Sequence, residues 1–171
     1  MDKIYSIIIR YAAIIALSLS SLYVFYLIFT PLTLYLSYFI LGLFYNASIE
    51  HSAIAINGSL INLIDACIAG AAYFLLLMLN LSTPNVKKRL VAFAADCAAF
   101  LALNVLRIVV LSVLFLSEFA YFSEVHVISW HLLSAFFVIV IWIATTRILK
   151  TRGIPFYSDI IYLKNIITQK K

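Results

Sequence analysis

The chain has 171 residues, of which 65% are hydrophobic and only 11% are charged, and its mean hydropathy is +1.11. Because a soluble domain carries about 25% charged residues, this composition excludes a water-soluble globular protein and predicts a single integral membrane domain over residues 1–171. The net charge of +5 comes from basic residues that flank apolar runs, a pattern that indicates membrane topology rather than nucleic-acid binding.

The first third of the chain predicts one membrane span, a short helix and a β-hairpin. Residues 11–29 form the first predicted span, and Pro31 is expected to end it. Residues 32–45 are apolar and aromatic but short for a crossing, which favours a short helix in the outer leaflet. Asn57-Gly58 then separates two apolar β-branched runs. Since Asn-Gly suits a type I′ turn, the pattern predicts a small extracytoplasmic β-hairpin.

Three longer apolar stretches complete the predicted membrane domain, at residues 63–81, 90–116 and 127–146. All the short basic clusters fall on one side of the membrane if there are four spans and both termini are cytoplasmic. The segment 154–171 resembles an amphipathic helix on the cytoplasmic surface. The predicted fold is therefore an all-α membrane protein of about four transmembrane helices, with the hairpin leading into the helix of Cys67.

Each of the last three predicted spans contains a polar side chain that is a candidate for a common site. These are Cys67, Arg107 and His131. At a rise of 1.5 Å per residue from the cytoplasmic ends of their spans, they lie at depths of about 21, 25 and 23 Å. In a hydrocarbon core of about 30 Å all three reach the outer third of the membrane. Ionisable residues at such depths usually face a protein interior and serve a function, so the common depth predicts one site.

The three residue types suit acyl transfer. A thiolate on Cys67 would be the nucleophile, His131 the general base and acid, and Arg107 the group that stabilises the oxyanion. Asn104 lies one helical turn before Arg107 and is expected to orient the guanidinium or the substrate. A single cysteine in a membrane helix is more often a small packing residue, and Cys97 is interpreted in that way. No metal or cofactor is expected.

The histidine assignment has an alternative, because His126 also precedes the last predicted span. Five residues along a helix rotate by about 140°, so only one of His126 and His131 can face the site if both are helical. The depth estimate favours His131, since His126 is about 30 Å from the basic end of the span, at the level of the headgroups.

The ordered set of short motifs resembles the archaeosortase/exosortase family of membrane cysteine transpeptidases. The resemblance covers residues 57–142 and rests on Ala66-Cys67, on Asn104 and Arg107 in an Asn-x-x-Arg pattern, and on His131 followed by Ala135-Phe136. One departure is that the family often has Cys-Ser-Gly, whereas Ala69 occupies the position of that glycine here and Gly70 follows it.

The resemblance implies a sorting enzyme with a catalytic core over about residues 57–147, in the cell membrane, with its active site on the extracytoplasmic side. Its substrates would be secreted proteins whose C-terminal sorting signal has three parts: a short motif, a hydrophobic span and a basic cluster. The enzyme would cleave near the motif through a thioester on Cys67, with Arg107 and His131 also catalytic and Asn104 binding substrate. It would then transfer the new C-terminus to an amine, with a lipid as the expected acceptor.

Two other functions fit the same residues. An intramembrane cysteine protease would end the reaction with water instead of an amine. A small transporter or channel would use Arg107 and His131 to line a polar path, and its activity would survive Cys67→Ser.

Overall fold

The computed structural model describes residues 3–19, 22–83, 89–150 and 155–169. Helices make up most of this part of the chain, together with one small antiparallel sheet. In chain order the elements are α1 (Lys3–Leu19), α2 (Tyr23–Gly42), β1 (Ala47–Glu50), β2 (Ala53–Ile56), β3 (Ser59–Asn62), α3 (Asp65–Ile68), α4 (Gly70–Ser82), α5 (Arg89–Leu116), α6 (Phe122–Ile128), a π-helical turn (Ser129–Leu133), α7 (Ser134–Ile148) and α8 (Tyr157–Gln169).

Four helical segments of the described chain are long and apolar enough to cross a membrane, which confirms the number predicted. They are Tyr23–Gly42, Asp65–Ser82, Arg89–Leu116 and Phe122–Ile148. The last three contain nearly all of the spans predicted at residues 63–81, 90–116 and 127–146. The last segment begins five residues earlier than predicted, so His126 is part of a helix. Which end of the bundle faces the cytoplasm stays a prediction.

The prediction of a first span over residues 11–29 is wrong. Helix α1 ends at Leu19, Leu22 has a left-handed backbone with φ 61°, and α2 begins at Tyr23 and continues through Pro31. A proline removes one backbone hydrogen bond, whereas leaving the helix within a bilayer would deprive several backbone groups of partners. The apolar residues on both sides of Pro31 therefore stay in one helix.

The separate outer-leaflet helix predicted over residues 32–45 is also wrong, because most of these residues form the second half of α2. Leu34 and Leu41 on this half pack in a buried cluster with Ile54 and Ile56 of the sheet. The contact with the sheet explains why the helix continues, since its apolar face is covered only if α2 extends to Gly42.

The predicted hairpin is confirmed, and it belongs to a three-stranded sheet of order β1-β2-β3. Asn57 and Gly58 both have positive φ, at 51° and 83°, as a type I′ turn requires. Ile56 and Ser59 close the turn as paired residues. β1 extends the hairpin by one strand and packs against α2.

Buried polar residues connect the helices at the end of the bundle away from the sheet. The carboxylate of Asp96, which is fully buried on α5, accepts hydrogen bonds from Asn80 of α4 at 2.6 Å and from Thr145 of α7. Cys97, also on α5, is buried in the apolar core beside Tyr73 and Phe100. Asp96 therefore links three helices, and Cys97 is a packing residue.

Helix α8 is held at this same end by an ion pair. Arg10 of α1 lies 3.1 Å from the carboxylate of Asp159 on α8 and donates a hydrogen bond to the carbonyl oxygen of Leu81 at 2.7 Å. Tyr11 donates to the same carboxylate at 3.2 Å. The predicted tail helix is thus confirmed as a helix, and it is joined to α1 and to the last turn of α4.

Candidate active site

Cys67 lies on α3, a single helical turn that follows the sheet directly. Its backbone N–H donates to the carbonyl oxygen of Ile64 at 2.8 Å. Ala69 then takes a left-handed backbone conformation with φ 58°, which ends α3 before α4 begins at Gly70. The predicted span over residues 63–81 is therefore interrupted two residues after the thiol. Cys67 is a half-buried free cysteine.

The break leaves carbonyl groups of α3 without hydrogen-bond donors from the helix itself, and side chains of α5 act as donors instead. Asn104 Nδ2 donates to the carbonyl oxygen of Cys67 at 2.9 Å, and Arg107 Nη2 donates to the same oxygen at 3.0 Å. Both α5 side chains are buried, at 1% and 6% relative exposure. Since the two residues are three apart on one helix, they reach the same carbonyl from one face. The backbone of the cysteine is thus fixed by two donors from α5.

Arg107 also connects α3 to the last membrane-length segment. Its Nη1 donates to Ser134 Oγ at 2.6 Å and to the carbonyl oxygen of Ser129 at 3.4 Å. The Nε atom of Arg107 is buried and has no hydrogen-bond partner within the described residues. Arg107 therefore lies at the junction of α3, α5 and the π-helical turn.

Cys67 and His126 line one cavity of about 160 Å³, which we call the thiol cavity. Its walls come from residues 60–63 at the end of the sheet, from α5 and from α6, and most of the lining side chains are apolar, including Ile108 and Phe115. The imidazole of His126 packs edge-on against Phe122, with ring centroids 5.5 Å apart. A cysteine and a histidine on the wall of one small apolar cavity are the groups that a cysteine nucleophile and its base require.

His131 lies at a different place. It is exposed, its Nδ1 is 3.1 Å from the carbonyl oxygen of Val127, and its ring lies against Trp130 with centroids 3.7 Å apart and the planes tilted by 38°. It lines a second cavity, of about 330 Å³, whose wall includes Asp65 and Ser134 but not Cys67. The structure thus brings together Cys67, Asn104 and Arg107 from the predicted set and leaves His131 on another wall.

The π-helical turn Ser129–Leu133 accounts for this placement. A π turn closes hydrogen bonds over five residues instead of four and changes the angular relation of the residues that follow it. The carbonyl oxygen of Ser129 and the hydroxyl of Ser134, five residues apart, both accept hydrogen bonds from Arg107, whereas the ring of His131 between them contacts Val127 and Trp130. The hydrophobic periodicity of this stretch carries no signal for such a turn.

Sequence reasoning missed Ser134 and ranked His126 second. Ser134 follows His131 by three residues in the motif that carries the resemblance, so a search for hydrogen-bond partners of Arg107 on the last span could have found it. The depth estimate of about 30 Å counts residues along one regular α-helix and puts His126 at the headgroups, whereas in the structure a π-helical turn interrupts this helix and His126 on α6 lines the thiol cavity.

No protein-family model matches this sequence, and neither the search of curated proteins nor the search of solved structures gave a significant match.

Proposed function

We propose that the protein is a membrane cysteine transpeptidase, with Cys67 as nucleophile and His126 as general base and acid. The observation that carries the proposal is that these two side chains line the same small cavity. The location of His131 on the second cavity favours His126 over the histidine expected from the sequence.

The chemistry divides peptide cleavage into two acyl transfers. His126 takes the proton of the Cys67 thiol, and the thiolate sulfur attacks the carbonyl carbon of the scissile peptide bond. The tetrahedral intermediate collapses, the C–N bond breaks, and the leaving amine takes the proton from His126. A thioester between Cys67 and the new C-terminus of the substrate remains. An acceptor amine then attacks the thioester, His126 takes its proton, and that proton returns to the departing Cys67 sulfur.

Arg107 acts in this proposal through the backbone of the nucleophile. Its hydrogen bond to the Cys67 carbonyl, at 3.0 Å, fixes α3 relative to α5 and puts a positive charge next to the residue that must become a thiolate. Asn104 holds the same carbonyl without adding charge, so we propose that it positions the nucleophile.

The proposed substrate and acceptor are those that the resemblance implies, and the location of the site is compatible with them. The thiol cavity lies at the sheet end of the membrane-length helices, and the basic residues Lys87 to Arg89 follow the other end of α4. The positive-inside rule puts the basic end in the cytoplasm and the thiol cavity on the extracytoplasmic side. We propose that secreted proteins with a C-terminal sorting signal present their scissile bond there, and that a membrane lipid bearing an amine accepts the acyl group.

Co-expression with candidate secreted proteins that end in a hydrophobic span and a basic cluster tests the proposal. The wild type should shorten such a protein, Cys67→Ala should not, and Cys97→Ala is the matched control because Cys97 is a buried core residue on α5. Mass spectrometry of the shortened product should find an amide-linked adduct at the new C-terminus. A free carboxylate would mean a protease instead. Processing that survives Cys67→Ala would overturn the enzymatic function of Cys67, whereas a transport activity that survives Cys67→Ser would favour the transporter.

A further inference from the structure

Strand β3 is an open edge of the sheet. Within the described residues it pairs only with β2, whereas β1 at the opposite edge packs against α2. Because Ile56 and Ser59 close a two-residue type I′ turn, they exchange backbone hydrogen bonds with each other, and alternate residues along β3 do the same with β2. The backbone N–H and C=O groups of Leu60 and Asn62 therefore point away from β2, toward the open edge.

The composition of this edge is unusual for a strand that binds nothing. Natural sheets protect their edges with lysine, proline, bulges or a covering element. β3 reads Ser-Leu-Ile-Asn, with no charge and no proline, and 53% of the Leu60 surface is exposed. Such an edge is a template for another extended chain.

The open edge continues into the thiol cavity. Residues 60–63 form part of the cavity wall, and α3 with Cys67 begins two residues after Leu63. A chain paired with β3 would therefore run along the wall that contains the nucleophile. A cavity of about 160 Å³ resembles in size an engineered apolar cavity of about 150 Å³ that binds benzene, so it has room for one large apolar side chain.

From these observations we infer that an extended segment of the substrate binds as a fourth strand on β3 and inserts one apolar side chain into the thiol cavity next to Cys67. The inference rests on the proposed function and states how the substrate is held. Main-chain hydrogen bonds to Leu60 and Asn62 fix the register of the substrate strand relative to β3, and the cavity selects for an apolar side chain.

The test uses two electrophiles on the purified full-length protein in detergent. Iodoacetamide is small and has no peptide part, so its labelling rate measures the reactivity of the Cys67 thiol. Biotin-Ala-Ala-Ala-Leu chloromethyl ketone alkylates the same thiol, and its labelling rate also depends on binding of its peptide part. The chloromethyl ketone is then N-methylated at one amide at a time. Pairing with one strand uses alternate amides, so methylation of those amides should slow labelling of Cys67 by about 10-fold, the size of one lost hydrogen bond of about 1.4 kcal/mol. Methylation of the amides between them should change the rate little.

A pair of variants at one position tests the protein side. Leu60→Pro removes a backbone N–H from the open edge, whereas Leu60→Ala shortens the side chain and keeps that N–H. Labelling by the peptide should be slower in Leu60→Pro than in Leu60→Ala, with iodoacetamide rates equal in the two. An equal loss in both variants would assign the effect to the side chain and overturn strand pairing.

The remaining outcomes separate the inference from the proposed function. A methylation scan without alternation, while iodoacetamide still labels Cys67, would overturn strand pairing and leave the nucleophile intact. Failure of both electrophiles to label Cys67 would overturn both proposals. If Leu60→Pro changed only the oligomeric state, and all the N-methylated peptides labelled Cys67 at the same rate, the edge would be an interface between copies of the chain and not a substrate site.

Discussion

The guanidinium of Arg107 donates a hydrogen bond to the carbonyl oxygen of Cys67 at 3.0 Å, although the two residues are 40 positions apart in the chain. The same side chain donates to Ser134 at 2.6 Å. One planar group thus bridges the turn that carries the thiol and the last membrane-length segment. Two separate nitrogens make these contacts, which is why a single ammonium is a poor replacement.

Arg107→Lys should therefore reduce processing of a co-expressed substrate by about 100-fold, the effect expected from a misplacement of about 1 Å at a reacting group. The pH profile of Cys67 alkylation by iodoacetamide should be measured for the wild type and for Arg107→Lys, so that a loss of folding can be distinguished from a loss of processing. Because lysine keeps the positive charge, an unchanged profile together with reduced processing in the folded variant supports the positioning role. A lysine variant with wild-type processing would mean that only the charge of Arg107 matters.

Replacing each histidine singly distinguishes the two candidate bases. His126→Ala should lower processing by at least about 100-fold, since general base catalysis contributes about 10²–10⁴. His131→Ala should keep activity within severalfold of the wild type, because its ring contacts its own helix and Trp130. The readout is substrate processing in isolated membranes. The reverse result would return the catalytic role to His131 and would require the thiol to reach the second cavity.

Ala69 has a backbone that favours glycine, with φ 58°. A left-handed conformation costs a residue with a Cβ about 1–2 kcal/mol, while glycine adopts it freely. Ala69→Gly should therefore raise the free energy of unfolding by up to about 1 kcal/mol, and Ala69→Val should lower it. Thermal unfolding in detergent, followed by tryptophan fluorescence, measures both. If Ala69→Gly were less stable than the wild type, α3 and α4 would form one continuous helix.

Gly70 permits the close approach of Tyr26, since a Cβ at this position would lie 2.8 Å from the Tyr26 Cζ atom. Gly70→Ala should destabilise the protein by about 1–3 kcal/mol through overpacking. The same substitution should cost less in a Tyr26→Ala background, where the ring is absent. A double-mutant cycle of unfolding free energies gives this coupling, and a coupling of zero would contradict the contact.

Asp96 should contribute to stability and not to the chemistry. In Asp96→Ala, Thr145 loses its acceptor, whereas Asn80 keeps its bond to the Leu76 carbonyl oxygen at 2.9 Å. The expected loss of unfolding free energy is about 1–3 kcal/mol for the group left unpaired. Alkylation of Cys67 in the folded protein should keep its wild-type rate. A large change in that rate would mean that Asp96 influences the thiol across the bundle.

Composition and periodicity by themselves determined the membrane class, the number of membrane-length helices and the hairpin. These properties depend on local chemistry: an apolar run long enough to span a bilayer must form a helix there, and Asn57-Gly58 permits the positive φ angles of a type I′ turn. The same logic placed Cys67, Asn104 and Arg107 on neighbouring helices at similar depth, and they lie together in the structure.

Only the tertiary structure decided how the helices are interrupted and which histidine shares a cavity with the thiol. Pro31 stays within α2 because the sheet covers the second half of that helix, a long-range contact that local propensity does not contain. The break at Ala69 and the π-helical turn are likewise compensated by side chains from other helices, with Asn104 and Arg107 bonded to the Cys67 carbonyl and Ser134 bonded to Arg107. Depth along separate helices is a one-dimensional measure, whereas the face that each side chain presents depends on these interruptions and on the partners that stabilise them.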